Sequence, residues 1–151
     1  MNILFLMTPK MDVDCVFEND TVGQALHRLE VHEFTTVPLI NDATGKYVGS
    51  LSEGDLLREL MRQNASPAMV EDRPISGIHR KRDYTPVRAD ADISELFQYA
   101  KTQNFVPVVD DGGVFIGIVT RQSILQPCIQ AYRENKERKS SRSVVMTGTY
   151  Q

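Results

Sequence analysis

The sequence predicts a mixed α/β fold in which one supersecondary unit occurs twice. Two stretches carry the prediction, residues 48–57 (VGSLSEGDLL) and residues 116–125 (IGIVTRQSIL). In each stretch a glycine lies among apolar residues typical of a strand, a hydroxyl residue stands where a helix N-cap belongs, and two aliphatic residues follow on the buried face of a helix. The same strand-to-helix turn at matching places in both halves indicates an internal repeat.

The repeat extends over about 60 residues of each half. Gly49 and Gly117 lie 68 positions apart, and the preceding strands, residues 37–40 (VPLI) and 106–109 (VPVV), lie 69 apart. Earlier positions lie 71 apart, so the register changes only twice. A unit this small is not expected to bury its apolar face alone. Two sets of residues are separated from their counterparts by 71 positions. Val22, Ala25, Leu26 and Leu29 correspond to Ile93, Leu96, Phe97 and Ala100, and Leu4, Met7, Lys10 and Val16 correspond to Ile75, Ile78, Lys81 and Val87.

The composition indicates a soluble globular chain with an uneven charge distribution. Of 151 residues, 41% are hydrophobic and 25% are charged, which is ordinary for one compact module. The net charge of −3 divides into −6 over residues 1–132 and +3 over residues 133–151. An acidic body argues against nucleic acid as the main partner, and only the basic tail keeps that alternative open.

The N-terminal apolar run and the two cysteines predict a cytosolic protein. Residues 3–7 are too few for a membrane span or a signal-peptide core, and no basic residue precedes them. They are interpreted as the first packing segment of the first repeat. Cys15 and Cys128 lie at non-equivalent positions and form no metal-binding pattern, so both are interpreted as ordinary thiols.

In the first half, hydrophobic periodicity predicts a strand, a helix, a hairpin and a second helix. Residues 13–17 alternate as a short strand, and residues 22–32 carry apolar residues at helical spacing. The turn sequence NDATG separates two strands of a hairpin, residues 35–40 and 47–51. Ser52 then begins a helix that the segment from Asn64 to Pro67 ends.

The second half repeats this order and predicts a small sheet covered on one face by helices. Residues 138–143 are predicted to be solvated coil, and the apolar residues 144–146 are predicted to rest on a partner subunit. The chain is therefore divided into a first motif (3–63), a linker (64–73), a second motif (74–133) and a basic tail (134–151). The predicted elements are a turn or short helix at 74–79, a strand at 84–88, a helix at 92–102, a hairpin of 105–109 with 114–119, and a helix from 121 to about 136.

Both halves resemble cystathionine-β-synthase (CBS) motifs, and the chain resembles a stand-alone bacterial CBS pair, or Bateman module. The resemblance covers residues 3–132 and rests on TVPLI with VGSLSEGD in the first half, and on FVPVV with IGIVTR in the second. It implies a pseudo-twofold pair of motifs, clefts for adenosine-containing ligands and a homodimer. Residues 115–121 also resemble short CBS proteins, some of which bind cyclic di-AMP.

In the first half, the resemblance implies that Ser52 and Asp55 hold the ribose and phosphate of a nucleotide. A helix N-terminus offers free N–H groups to a phosphate, and a carboxylate can accept both ribose hydroxyls. The same Ser-x-x-Asp spacing also predicts a capping box, which needs no ligand. One residue can do both, so both alternatives stay open.

In the second half Thr120 matches the family pattern, but Ser123 replaces the acid, so this cleft is either empty or binds through other groups. Arg121, and Lys81 within the sequence HRKR, could supply charge to a phosphate, although such a run can also be a solvated turn. The candidate apolar walls for an adenine, with core packing as the alternative role, are Val16, Val37, Pro38, Val87, Val106 and Pro107.

The sequence carries no pattern that indicates an enzyme. His27 and His32 do not share a helix face, and no P-loop, metal spacing or nucleophile with a base is present. The expected function is a regulatory module that senses AMP, ADP, ATP, cyclic di-AMP or S-adenosylmethionine, with no required cofactor, and that signals to an effector protein. The alternatives are a ligand-independent dimerisation scaffold and a dedicated cyclic di-AMP receptor. A homodimer is predicted from Leu56, Leu57, Leu60, Ile124, Leu125 and Ile129.

Overall fold

The computed structural model describes residues 2–32, 35–64 and 66–149, and it confirms the mixed α/β prediction. The strands form two sheets, one of four strands in the order β1-β7-β6-β5 and one of three in the order β2-β3-β4. The strands are β1 (Thr8–Pro9), β2 (Val16–Phe17), β3 (Thr36–Ile40), β4 (Tyr47–Ser52), β5 (Val87–Arg88), β6 (Phe105–Val109) and β7 (Phe115–Thr120). The helices are α1 (Val22–His32), α2 (Glu53–Gln63), α3 (Pro67–Val70), α4 (Ile93–Ala100) and α5 (Arg121–Thr149).

The pairing of the first sheet recurs in the second, which confirms the internal repeat. β2 runs parallel to β3 with Val16 opposite Leu39, and β5 runs parallel to β6 with Val87 opposite Val108. Each hairpin is antiparallel and has one register irregularity, at the last residues of β3 and of β6.

The two halves meet through reciprocal hydrogen bonds between their hairpin loops. The amide of Tyr47 donates to the carbonyl of Gly113 at 3.1 Å, and the amide of Phe115 donates to the carbonyl of Gly45 at 2.9 Å. Both glycines adopt a positive φ, +74° at Gly45 and +84° at Gly113, which side chains disfavour. Because each donor and each acceptor is 68 positions from its counterpart, a pseudo-twofold axis passes between the loops.

The leading segment of each half packs on the other half. Ile3 is 1% exposed and lies in the second core, and β1 pairs with β7 with Thr8 opposite Ile118. Ile75 and Ile78 lie reciprocally in the first core. Residues 3–7 are therefore a packing segment that leads the first repeat, as predicted, but the core on which they pack belongs to the second half. Periodicity shows that a residue is buried but not which surface buries it.

Each half has its own apolar core, and a smaller cluster joins them. The joining cluster contains Cys15, Ile40 and Phe115. The buried residues of the first core are Val16, Val22, Ala25, Leu29, Val37, Leu39, Leu51, Leu56, Val70, Ile75 and Ile78, and those of the second are Ile3, Val87, Leu96, Val106, Val108 and Val119.

Element bounds agree with the sequence prediction except at short strands, at the C-terminus and in the predicted linker, where α3 forms a single helical turn. α1 has the predicted bounds, whereas β2 and β5 contain only the last two residues of the predicted strands. α5 continues to Thr149, so the predicted coil over residues 138–143 is wrong. Half of this stretch is arginine or lysine, and Glu134, Lys136 and Glu137 precede it in the same helix; all of these are strong helix formers. The side chains of residues 143–149, and with them the predicted docking of residues 144–146, lie outside the described part of the chain.

Within residues 2–32, 35–64 and 66–149, no helix has the length and apolar content needed to cross a membrane.

Candidate functional site

A cavity of about 240 Å³ opens between the two halves, next to the turn that joins β7 to α5. Three parts of the chain build it: the segment around β1 that crosses to the second half, the start of β3 and the facing ends of β6 and β7. The lining residues are Thr8, Asp12, Val13, Asp14, Thr35, Thr36, Val37, Pro38, Asn104, Phe105, Ile118 and Thr120.

Thr120 is the only sequence-predicted hydroxyl among these lining residues, and it also caps α5. Its Oγ1 accepts a hydrogen bond from the amide of Ser123 at 3.1 Å and lies 2.8 Å from the Oγ of Ser123. Ser123, which stands in place of the family's acid, is therefore engaged with Thr120 inside the cap. A threonine hydroxyl has two acceptor lone pairs and one proton, so Thr120 keeps hydrogen-bonding capacity for a ligand.

The remaining walls are largely apolar, with hydroxyls and carboxylates at the rim. Val37 and Pro38 are buried on β3, and Phe105 faces them from β6. Asp12 and Asp14 come from the crossing segment, and no described lining residue carries a positive charge. Such a cavity suits a flat apolar ring together with neutral hydrogen-bonding groups.

Ser52 and Asp55 form the capping box that the sequence predicted as one alternative. The amide of Asp55 donates to Ser52 Oγ at 3.1 Å, and the amide of Ser52 donates to Asp55 Oδ2 at 3.0 Å. The other oxygen, Oδ1, accepts from the Lys81 amide at 3.2 Å and from the Arg58 guanidinium. Asp55 is 2% exposed, so protein groups occupy both of its oxygens in a buried position.

The segment that contains Lys81 lies along the free edge of β4. The amide of Ser50 donates to Asp83 Oδ1 at 3.0 Å, and the amide of Tyr84 donates to Ser50 Oγ at 2.8 Å. Arg80 forms an ion pair with Asp83 at 2.8 Å. The backbone of this segment thus contributes to the surroundings of Asp55, while the side chain of Lys81 is exposed.

The other predicted site residues lie in the cores or at a helix end. Arg121 donates from Nε to the carbonyl of Ala100 at 2.9 Å and therefore caps the C-terminus of α4. Val16 lies in the first core, Val87 and Val106 lie in the second, and Pro107 is buried within β6. Of the twelve predicted residues, the structure brings Val37, Pro38 and Thr120 together in the cavity and places Ser52, Asp55 and Lys81 together at the start of α2.

Sequence reasoning missed most of the cavity lining, although the repeat held a partial signal. Thr35 and Asn104 lie 69 positions apart, immediately before the two matched strands, and the Asn104 amide side chain donates to Thr35 Oγ1 at 3.3 Å. Thr36 and Phe105 form the next pair. No signal marks Thr8 or Asp14, because their contribution depends on the crossing of the leading segment.

In the described part of the chain, no group of three or more histidine, cysteine, aspartate or glutamate side chains is arranged to hold a metal ion.

Comparisons with known proteins place both halves in one family. A family model described as CBS domain matches residues 4–62 and 75–127. An uncharacterized protein of Methanopyrus kandleri is 27% identical over 134 residues, which are 86% of this chain and 66% of that protein. The chain thus spans less than two thirds of this curated relative.

Solved structures share the fold over nearly the whole chain. The crystal structure of CbpB in complex with c-di-AMP has a TM-score of 0.81 at 22% identity and covers 91% of each chain. The crystal structure of CBSX2 in complex with AMP has a TM-score of 0.66 at 25% identity and covers 87% of this chain and 98% of that one. The two matched segments correspond to the two halves described above.

Proposed function

Because this chain belongs to the CBS domain family, we propose that it is a regulatory module that binds an adenosine-containing nucleotide in the cavity beside Thr120. The observation that carries the proposal is the cavity itself, which both halves and the crossing segment build together. A ligand that fills it contacts both halves at once and can bias their relative position, which an effector protein then reads. The similar proteins solved with c-di-AMP and with AMP support an adenine nucleotide as the ligand.

The size and the walls of the cavity favour one nucleoside unit. Cavities for drug-sized ligands span about 300 to 1,000 Å³. A cavity of about 240 Å³ lies just below this range and therefore suits one adenosine rather than a dinucleotide. In this proposal the base lies between Val37, Pro38 and Phe105, whose apolar atoms leave water on binding. If the ligand is cyclic di-AMP, one of its two adenosines would occupy the cavity and the other would stay outside it.

The polar groups fix the orientation of the ligand. Thr120 and Thr8 can bond to the ribose hydroxyls. Asp12 and Asp14 disfavour a phosphate near the crossing segment, because like charges repel. The phosphate therefore points towards the N-terminus of α5, which offers free N–H groups and partial positive charge. In this proposal Ser52 and Asp55 serve only as a helix cap, and Thr120 of the second half is the helix-capping hydroxyl that contacts the ligand.

The repeat offers a matched pair of variants for the test. Thr120→Ala and Ser52→Ala each remove the capping hydroxyl of an equivalent helix, so each should lose about 1 kcal/mol of unfolding free energy. Only Thr120→Ala should also weaken AMP binding, by about 2- to 10-fold, because one ligand hydrogen bond is lost. Isothermal titration calorimetry with AMP, ADP, ATP, cyclic di-AMP and S-adenosylmethionine measures this. Equal loss of affinity in both variants, or no binding of any of these compounds, contradicts the proposal.

A second candidate, a ligand-independent dimerisation scaffold, is favoured by exposed apolar side chains on equivalent helices. Leu57 on α2 is 58% exposed, and Leu125, its counterpart 68 positions later on α5, is 56% exposed. A scaffold would form the same dimer with no ligand. Its melting temperature would then be unchanged by every nucleotide, whereas a ligand at 100 times its dissociation constant adds about 2.7 kcal/mol to the stability of a binding module.

A further inference from the structure

We propose that Tyr84 fills the pseudo-symmetric counterpart of the open cavity, so that one chain binds one nucleotide instead of two. The inference rests on the proposed function for the identity of the ligand. It concerns which of two equivalent positions can accept that ligand. The repeat register identifies the counterpart of each lining residue, and Tyr84 is the counterpart of Val13, 71 positions later.

The ring of Tyr84 lies against the counterparts of two residues that line the open cavity. Its centroid is 4.9 Å from the centroid of the Phe105 ring in an edge-to-face arrangement. Its hydroxyl accepts a hydrogen bond from the backbone amide of Asn104 at 3.4 Å. Phe105 is the counterpart of Thr36, and Asn104 is the counterpart of Thr35. An aromatic side chain thus occupies the space that the valine leaves open in the other half.

The backbone of Tyr84 is fixed by groups that have no equivalent in the open cavity. Its amide donates to Ser50 Oγ at 2.8 Å, and its carbonyl accepts from the Tyr47 hydroxyl at 2.6 Å. Ser50 is 1% exposed, and its counterpart Ile118 has no hydroxyl to offer. The buried side chain of Gln103 also bonds to both the amide and the carbonyl of Thr85, at 2.7 and 3.1 Å.

The polar groups around the position that Tyr84 fills already have hydrogen-bond partners within the protein. Both oxygens of Asp55 are bonded to protein donors, one of them the amide of Lys81 in the same segment that carries Tyr84. A nucleotide at this position would have to displace the ring of Tyr84, which contacts Phe105. The residue pair of the first half that best matches the family pattern is therefore shielded, whereas Thr120, from the pair that departs from it, lines the open cavity.

Exchanging the two counterpart residues tests the inference. Calorimetry with AMP should give one site per chain in the wild type. Val13→Tyr should lower the affinity more than 10-fold by closing the open cavity, and Tyr84→Val should raise the stoichiometry to two. Tyr132→Val, a tyrosine that is 67% exposed on α5, is the matched control and should leave both values unchanged. Two sites in the wild type, or unchanged affinity in Val13→Tyr, would overturn the inference.

A second probe separates this inference from the proposed function. p-Cresol reproduces the tyrosine side chain, so Tyr84→Gly should bind one more molecule of p-cresol than the wild type and should regain melting temperature when it is added. Tyr132→Gly should show neither effect. If no adenine nucleotide binds the wild type but the extra p-cresol site is found, the proposed function fails and the role of Tyr84 stands. If Tyr84→Gly has no additional p-cresol site, the inference is contradicted, whether or not the wild type binds an adenine nucleotide.

Discussion

At the scale of single residues, Gly49 and Gly117 lie where the leading segment of the opposite half packs against the sheet. A Cβ atom at Gly117 would lie 2.3 Å from the backbone oxygen of Thr8, and one at Gly49 would lie 2.3 Å from the Oδ1 of Asp83. The first neighbour is backbone held in a strand, whereas the second is a side chain that can rotate. The glycine of each motif is therefore required by a close approach rather than by its own backbone conformation.

We expect Gly117→Ala to be the more damaging substitution. Overpacking typically costs about 1 to 3 kcal/mol, and Gly117→Ala should lie at the upper end because β1 must move. Gly49→Ala should cost less. It should also cost less in an Asp83→Ala background, because the clashing carboxylate is gone. Urea unfolding of the four variants measures this. Equal costs at both glycines, with strict additivity at Gly49 and Asp83, would contradict it.

Tyr47 is expected to limit the stability of the folded protein at alkaline pH. Burial, and to a smaller extent the charge of Asp83, raise the pKa of its hydroxyl, which donates to the Tyr84 carbonyl. Unfolded tyrosine has a pKa of about 10, so this contribution to stability is complete below about pH 10 and is lost as the pH rises towards the native pKa. The unfolding free energy should therefore fall above about pH 10.

Tyr47→Phe should reduce that fall and cost about 1 kcal/mol at neutral pH, because the Tyr84 carbonyl loses its partner. Tyr132→Phe, at an exposed position, is the control and should follow the wild type. Chemical unfolding between pH 8 and 11 makes the comparison. Identical pH profiles for the wild type and Tyr47→Phe would show that this hydroxyl does not set the limit.

The candidate site was only partly predictable from the sequence, and the reason lies in individual residues. Ser52 and Asp55 carry a local pattern, and the structure forms the predicted cap from them. No local pattern marks Tyr84, because its ring meets Phe105 only after the sheet has formed. Thr120, Val37 and Pro38 were among the predicted residues, whereas Thr8 and Asp14 reach the cavity only through tertiary contacts.

At the scale of elements, the segment before β1 supports the opposite half of the molecule. We expect Ile3→Ala, at a position that is 1% exposed, to cost about 2 to 5 kcal/mol through lost burial and a cavity. Leu4→Ala, at a neighbouring residue that is 45% exposed, should stay within about 0.5 kcal/mol. Hydrogen exchange should show the loss in Ile3→Ala first in the amides of α4 and β7. Loss of protection confined to α1 and β4 would refute this assignment.

Helices and hairpins were predictable because their signals are local. α1 follows from the spacing of Val22, Ala25 and Leu29, and the hairpins follow from turn residues between β-forming runs. The crossing of the leading segments was not predictable, because a short apolar run can be buried by any matching surface. The full length of α5 was missed because the serines at 140 and 141 suggested coil, although helix formers surround them.

At the scale of the whole molecule, the exposed apolar residues of α2 and α5 predict a homodimer. Met61 is 71% exposed, and Leu57 and Leu125 are each more than half exposed. Leu56 is 2% exposed in its own core, and Leu60 and Ile124 pack against the cores of their own halves, so the dimer surface is narrower than the sequence indicated. Pairing of equal surfaces around a twofold axis is the commonest arrangement for such a patch.

Replacing Leu57 and Leu125 together by glutamate should shift the protein from dimer to monomer, because two charges would be buried at the contact. Met11→Glu, at an apolar position that is 88% exposed and lies outside α2 and α5, is the control and should remain dimeric. Sedimentation velocity at micromolar concentration distinguishes the two masses. A monomeric wild type would exclude the dimer.

The reciprocal exchange of leading segments also bears on how such a chain could arise. If each unit lends its first segment to the other, a single unit on its own would have a sheet edge and a core left uncovered. Two separate copies would satisfy each other by swapping these segments, as identical subunits do in domain-swapped dimers. Gene duplication followed by a linker would then have joined subunits that were already interlocked. Because the joined halves no longer need identical sequences, a tyrosine could fill the cavity of one half while the other half kept its cavity open.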